Sequence, residues 1–225
     1  MTITPKNAGE SSRMYALRIL KQNITDITLA PGTLLSENEL ADELGLSRVP
    51  VREALIELSQ SKIIEILPQR GSRISLIDMD LVEESNFLRC TMECAVVRLA
   101  CEKITPSLLL ELEANLNLQK FYIKKTMPQK LMELDNEFHR LLFHCCQKDR
   151  CHKLVSDMGI HFDRIRSLAL TAVKELKIVG DHCEIYEAVS RNNPDTAESL
   201  MRRHLSRFRI DKRLIKEKYP EYFKA

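Results

Sequence analysis

The sequence lacks several features that mark common classes of protein. Its 225 residues include no tryptophan and only six glycines, and they contain neither a glycine-rich phosphate loop nor a G-x-S-x-G motif. Nucleotide-binding and serine-hydrolase chemistry therefore lack their usual parts. No apolar run approaches the roughly 18 residues of a membrane span, and residues 1–10 lack the apolar segment of a signal peptide. We therefore expect a cytoplasmic protein with no membrane partner.

A strong charge imbalance and a disulfide framework are also absent. The formal net charge is only +2, so any site for a polyanion has to be a local patch. The seven cysteines, an odd number without a C-x-x-C pair, indicate reduced thiols. Cys90, Cys94 and Cys101 fall on one helical face, which favours small core residues over the alternative, a thiolate metal site.

The first third of the chain has the pattern of a small helical domain that ends in a hairpin. Helical periodicity over residues 13–24 runs into a turn, and SENELADELG then combines capping-box spacing with a closing glycine. A second helix begins two residues later at SRVPVREALIEL, and two β-branched runs, IIEIL and RISLI, flank the turn PQRGS. This order predicts a winged helix-turn-helix over residues 10–77.

The proline of SRVPVREAL indicates where the second helix begins. Pro50 is tolerated only in the first helical turn, where the backbone N–H has no partner. That end of the helix enters the major groove in a helix-turn-helix, and arginines there can read guanine or hold a phosphate. Arg48 and Arg52 are therefore predicted DNA contacts, joined by Arg70 and Gly71 at the hairpin tip. The alternative is that these are ordinary surface arginines.

The rest of the chain has only helical signals. From residue 78 onward, long periodic segments alternate with short turns at ITPS, TMPQ and NNPD. The pattern predicts a bundle of six or seven helices over residues 78–225. The predicted fold class is therefore mostly α, with an N-terminal winged helix-turn-helix followed by an all-α antiparallel bundle.

Three histidines and an aspartate of this second part share inward helical faces. Asp135 and His139 are one turn apart in DNEFH, while His182 and His204 lie in apolar stripes of later helices. Each histidine alone is more simply a hydrogen-bonded core residue. Together they suit a divalent transition metal, zinc first, with nickel, manganese or iron also compatible. The other three histidines match no such pattern.

Such a metal site could serve several different roles. A helical-bundle hydrolase would use metal, but the sequence has no HD dipeptide, no H-E-x-x-H and no E-x-x-H pair. A purely structural metal and direct metal sensing both remain open.

Two stretches carry a resemblance to a known family. PGTLLSENELADELGLSRVPVREAL with LPQRG resembles the DNA-binding domain of GntR-type bacterial transcription regulators. The resemblance implies DNA contacts at Arg48, Arg52, Arg70 and Gly71, with Ser47 and Val49 beside them. We expect a homodimer on a near-palindromic double-stranded operator, because two-fold symmetry doubles the readout.

The second part resembles the FCD effector domain of the FadR subfamily. The resemblance is carried by the D-x-x-F-H helix, the later H…M-x-x-H-L pair and the helix NFLRCTMECAVVRLACEKIT. It implies that Asp135, His139, His182 and His204 hold a metal and that a small organic acid is the effector. It also places Arg89 where members often carry an arginine that faces the effector, although a surface position for Arg89 is the open alternative.

Overall fold

The chain forms two compact units in the computed structural model, which describes residues 1–172 and 177–224. Met1–Val82 and Tyr219–Ala225 make up the first unit, and Glu83–Lys218 make up the second. The sequence places the boundary at 77/78 and assigns the whole C-terminal end to the second part, whereas the last residues belong to the first unit. No described helix is long and apolar enough to cross a membrane.

The first unit contains three helices and a small antiparallel sheet. Its elements in chain order are α1 (Ser12–Thr25), β1 (Leu34–Leu35), α2 (Glu37–Leu44), α3 (Arg48–Gln60), β2 (Ile64–Leu67) and β3 (Gly71–Ile74). The strand order is β1-β3-β2, with Leu67 opposite Gly71 at the hairpin end. The predicted winged helix-turn-helix is confirmed. Only β1 was not predicted, because two residues are too short for a strand pattern.

Local sequence explains the sharp turn between α2 and α3. The Ser36 side chain accepts a hydrogen bond from the Glu39 backbone N–H and caps the start of α2. Gly45 ends the helix in a left-handed conformation, with φ 64°. Pro50 lies in the first turn of α3, where its missing N–H costs no hydrogen bond. The turn therefore presents the N-terminal end of α3 at the surface.

The core of the first unit lies between α1 and α3. Ile19, Leu20 and Val51 are fully buried, as are Ile63 and Ile74 beside the sheet. Each such side chain contributes about 1.5–3 kcal/mol of transfer free energy relative to exposure. The exposed N-terminal end of α3 is therefore held in place by a helix whose other side packs in this core.

The second unit is all-helical. In chain order the helices are α4 (Met79–Lys103), α5 (Pro106–Lys124), α6 (Pro128–Cys145), α7 (Asp149–Met158), α8 (Ile160–Ala172), α9 (Ile178–Ser190), α10 (Pro194–Ser206) and α11 (Phe208–Lys218). A proline opens each of α5, α6 and α10, at the three turns predicted from ITPS, TMPQ and NNPD. The described part of this unit has more helices than the six or seven expected, because the break at Gly159 has near-helical torsions and no proline.

One apolar cluster holds the bundle together. It includes Phe138, Leu142, Ile185 and Met201 from α6, α9 and α10, and Leu112 from α5. Because α5 packs on α6 and α9, and α9 packs on α10, the inward faces of these helices meet at one place.

The cysteines follow the core interpretation. Cys94 and Cys101 are buried, Cys90 is half-buried, and all three belong to or pack against the apolar cluster. Within the described residues, the group of side chains with metal-ligand geometry contains no cysteine. The thiolate alternative is therefore not supported in that part of the chain.

Candidate nucleic-acid interface and metal centre

The N-terminal turn of α3 is an exposed basic surface. Arg48, Val49 and Arg52 are all exposed, and so is Ser47, whose side chain makes no capping hydrogen bond. The apolar side of the same helix, at Val51 and Leu55, is buried. The two arginines are thus free of the core and can reach outward.

An acidic residue of α2 orients both arginines. The Nε of Arg52 lies 3.1 Å from both oxygens of the Glu37 carboxylate, and its Nη2 donates to Glu37 Oε2 at 2.8 Å. Arg48 Nη2 lies 3.6 Å from the same oxygen. Hydrogen bonding to Arg52 lowers the pKa of Glu37, and the same bond raises the pKa of Arg52. The carboxylate therefore holds the fork of Arg52 at the entrance of a groove.

The wing, which is the hairpin of β2 and β3, forms the other wall of this groove. Gly71 has φ 86°, and a Cβ placed there would lie 2.7 Å from the Leu35 backbone oxygen. Only glycine, which has no Cβ, tolerates both this positive φ and this close approach to the Leu35 backbone. The groove is lined by the starts of α2 and α3 and by the wing, and its lining includes Arg48, Arg52, Arg70 and Gly71. Ser47 and Val49 are outside this lining, at the exposed tip of the helix.

The four predicted ligands of the second unit converge on one point. One ligand atom from each of Asp135, His139, His182 and His204 lies within 4.8 Å of the others, and all four residues are buried. The Nε2 atom of His204 is 3.2 Å from that of His139 and 3.3 Å from that of His182. The Asp135 carboxylate is 3.7 Å from His139 Nε2 and 3.5 Å from His182 Nε2.

The remaining ring nitrogens each face an acceptor. His182 Nδ1 is 2.8 Å from Gln119 Oε1, His139 Nδ1 contacts Glu93, and His204 Nδ1 is 3.5 Å from Asp181 Oδ2. An acceptor at Nδ1 favours the tautomer that carries the proton there. Each Nε2 lone pair then points to the shared centre, as a metal requires.

Burial lowers the pKa of His139 and of His182 and so keeps these two imidazoles neutral. It lowers the pKa of His139 to about 4, even though Glu93 opposes the shift. Burial and the neighbouring His204 place the pKa of His182 well below its ordinary value. Burial alone would raise the pKa of Asp135, but Arg166 and the adjacent histidines outweigh it, so that this pKa is lowered. Neutral imidazoles and an ionised carboxylate are the forms that bind a cation. The residues present therefore fit a divalent metal.

A small cavity lies beside the cluster. It has a volume of about 90 Å³ and is lined by polar side chains that include Arg89, Glu93, His139, His152, Asp163 and Arg166. Arg89 is buried and its Nε donates to Glu93 Oε1 at 2.6 Å. This position excludes the surface alternative for Arg89. Arg166, from α8, contacts Asp135 and donates to Asp163 Oδ1 at 2.6 Å.

Several residues of the centre carry no sequence signal of their own. Gln119 of α5 contacts His182, and Asp181 of α9 contacts His204. Arg166 of α8 contacts Asp135. Gln119 is fully buried on the apolar face of α5, and a buried amide in a helical stripe is the one pattern that could have drawn attention to it. His152, which matches no ligand pattern in the sequence, lines the cavity.

Comparison with known proteins agrees with both parts of the fold. Residues 15–74 match the model of bacterial regulatory proteins of the gntR family, and residues 84–207 match the FCD domain. Over 225 residues the chain is 33% identical to the HTH-type transcriptional repressor RspR of Escherichia coli K12, with 99% of each chain covered. It is 33% identical over 217 residues to an HTH-type transcriptional regulator of Streptomyces ambofaciens, covering 96% of this chain and 91% of that one.

Solved structures show the same fold at lower identity. E. coli McbR/YncC superimposes with a TM-score of 0.80 at 20% identity, covering 93% of this chain and 99% of that chain. A putative GntR regulator from Rhodococcus sp. RHA1 gives a TM-score of 0.71 at 22% identity, covering 92% and 98%. With a winged helix-turn-helix and an FCD domain in one chain, the protein belongs to the GntR family of bacterial transcription regulators.

Proposed function

We propose that this transcription regulator is a metabolite-responsive repressor that binds a near-palindromic operator as a homodimer. Its operator affinity would be controlled by a small carboxylate bound at a metal centre in the second unit. One observation carries the proposal most strongly. The four predicted metal ligands converge in a buried cluster, with an acceptor at each outer ring nitrogen.

The groove of the first unit supports the assignment of DNA contacts. Arg52 and Arg48 would present planar donors to base edges or phosphates, and Arg70 would reach the backbone or minor groove from the wing. Gly71 would allow the wing tip to turn, while Ser47 and Val49 lie at the tip of α3. Binding would exchange the Glu37 partner of Arg52 for DNA. The relative named as a repressor supports repression.

The buried cluster supports a divalent metal. Asp135, His139, His182 and His204 would hold the ion, which would supply positive charge and coordination positions for an oxygen ligand. Zinc is the first expectation, and nickel, manganese and iron are compatible with the same donors.

The cavity beside His139 supports a small acidic effector. Its volume of about 90 Å³ is far below the roughly 300 Å³ at which drug-sized sites begin, so a hydroxy acid of a few carbons fits better than a sugar acid. Arg89 lies in its wall and would receive the carboxylate as a second anchor. Arg89 is now neutralised by Glu93 at 2.6 Å, so a carboxylate would compete with that ion pair.

Control of DNA binding requires that the effector favour one arrangement of the two DNA-binding units. A ligand with equal affinity for both arrangements would shift nothing. We expect operator affinity to change by roughly 5- to 150-fold at saturation.

The test is calorimetry of a panel of small hydroxy and keto acids on three proteins. These are metal-loaded wild type, metal-stripped wild type and metal-loaded Arg89→Ala. Binding should require metal and weaken in Arg89→Ala, and the binding acid should change operator affinity in an electrophoretic shift assay. An acid that binds all three equally well would remove both the metal and Arg89 from effector recognition.

Further measurements on the metal-loaded and metal-stripped proteins separate the alternative roles of the metal. A purely structural metal would raise the melting temperature but leave acid binding unchanged. A direct metal sensor would change operator affinity on metal addition alone. A hydrolase would turn over an ester or amide substrate in the metal-loaded form, and this outcome would argue against a regulatory role for the centre.

A further inference from the structure

The outer face of α5 carries an uncovered apolar stripe. Leu110, Leu118 and Phe121 are 66%, 48% and 51% exposed, and Ala114 between them is also exposed. Their spacings of four, four and three residues place all four on one side of the helix, within an arc of about 80°. We call these four residues the α5 outer stripe.

This stripe is separate from the core of its own unit. The opposite side of α5 supplies Leu112, Asn115, Leu116 and Gln119, all buried, and packs on α6 and α9. An amphipathic helix needs only one apolar side for that purpose. A second apolar side facing outward indicates a contact outside the described chain.

Three charged residues lie together on one flank of the stripe, and Glu111 is exposed on the other flank. Glu113, Lys120 and Lys124 are exposed, and helical geometry places them together at about 80° to 120° from the centre of the stripe. The acidic member lies toward the N-terminal end of α5, and the two basic members lie toward the C-terminal end.

We propose that the α5 outer stripe is the contact between two copies of this chain, with the two α5 helices antiparallel about a two-fold axis. The axis would pass at the level of Leu116. Ala114 of each copy then faces Leu118 of the other copy. The same operation brings the charged flanks of the two copies to the same side of the contact. Glu113 of each copy then meets Lys120 of the other copy, which gives two symmetry-related pairs.

The charges specify both the partner and its direction. A parallel pair about a two-fold axis would place the two charged flanks on opposite sides of the contact, so that neither Glu113 nor Lys120 would meet an opposite charge. The antiparallel pair instead brings both flanks to the same side of the contact, where Glu113 and Lys120 form two opposite-charge pairs, and a single face that complements itself is the property of a two-fold dimer. A second copy is therefore the occupant that the surface fits.

This inference rests on the proposed dimeric regulator and names the surface that would form it. It also gives α5 two roles. One side holds Gln119 against His182 at 2.8 Å, and the other side would set the geometry between copies. The metal centre and the dimer contact would then be linked through one helix, α5.

The experiment is a charge swap in the full-length protein, with the dimer dissociation constant measured by sedimentation velocity over a concentration series. Glu113→Lys and Lys120→Glu should each weaken the dimer by roughly 5- to 30-fold, because each variant replaces two attractive pairs by two repulsive ones. The double variant should restore wild-type affinity to within about threefold. Leu118→Glu should weaken the dimer by roughly 100-fold.

A matched control comes from α7. Leu154 has the same 48% exposure as Leu118, so Leu154→Glu should leave the dimer intact, and circular dichroism of every variant verifies the fold. A wild-type dimer whose affinity is unchanged in Leu118→Glu and both charge variants would overturn this contact while leaving the proposed function in place. A wild-type chain that is monomeric at every concentration, and monomeric on operator DNA, would overturn both.

Discussion

Arg52 recognises DNA, in our proposal, with a guanidinium that Glu37 already holds in position. Arg52→Ala should weaken binding to the preferred operator by roughly 10- to 100-fold, mainly through one base position, since a bidentate arginine discriminates on this scale. The measurement is a fluorescence anisotropy titration at fixed salt against single-base operator variants. Arg13→Ala is the control, because Arg13 on α1 is also exposed and paired with an acid, Glu57. Equal losses in the two variants would contradict a specific role for Arg52.

His182 depends in a similar way on Gln119. Gln119→Leu removes the acceptor at Nδ1 while keeping the volume, and should lower metal affinity by roughly 10- to 100-fold. Gln119→Glu keeps an acceptor oxygen and should retain most of the affinity. Competition titration with a chromophoric chelator measures both. If the leucine variant holds metal as tightly as wild type, the amide does not orient His182.

These two pairs show which residue-level features are predictable. The inward position of His182 follows from helical periodicity, because its stripe includes Ile185 and Val189. Its partner does not follow, because Gln119 is 63 residues away and periodicity gives no information on which helices meet. The direction of Arg89 was undecidable for the same reason. Glu93 lies one turn later on the same helix, but the burial of both side chains is a property of packing between helices, and the sequence of α4 alone does not encode it.

The wing is the element whose shape depends most on one residue. Gly71→Ala should destabilise the first unit by about 1–3 kcal/mol, because the added Cβ meets the Leu35 carbonyl at 2.7 Å in a left-handed conformation. Gly45→Ala is the matched control, since Gly45 has φ 64° and nothing within 4 Å of an added Cβ. Urea denaturation of both variants separates the steric contribution from the conformational one. Equal destabilisation would show that the close approach to Leu35 is unimportant.

Element boundaries were predictable where a chemical signal marks them. Ser36 and Gly45 bound α2 as predicted, and the prolines of three turns open the helices that follow them. The break between α7 and α8 has no such signal, since Gly159 keeps φ −71° and ψ −12°. The two-residue strand β1 exists only because β3 pairs with it, so local sequence could not indicate it.

The whole chain returns to its first unit at the C-terminal end. Ile77 donates its backbone N–H to the Tyr222 oxygen at 2.8 Å and accepts from Lys224 N–H at 3.0 Å, in a parallel bridge beside Phe223. Ile77 is fully buried and Phe223 is 8% exposed. The sequence pattern assigns this end to the helical second part, because a contact between residues so far apart leaves no local pattern.

Removal of residues 219–225 should therefore weaken the first unit rather than trim a dispensable tail. The truncated chain loses two backbone hydrogen bonds and the burial of Phe223, and it exposes Ile77. We expect a loss of about 2–4 kcal/mol in the stability of this unit. Hydrogen exchange read by mass spectrometry should show faster exchange in peptides that contain Ile77, with little change in α9 and α10. Lys224→Ala, which removes only the ion pair to Asp78 at 3.1 Å, should leave exchange near that of wild type. Unchanged protection of Ile77 after truncation would mean that the C-terminal segment contributes nothing to the first unit.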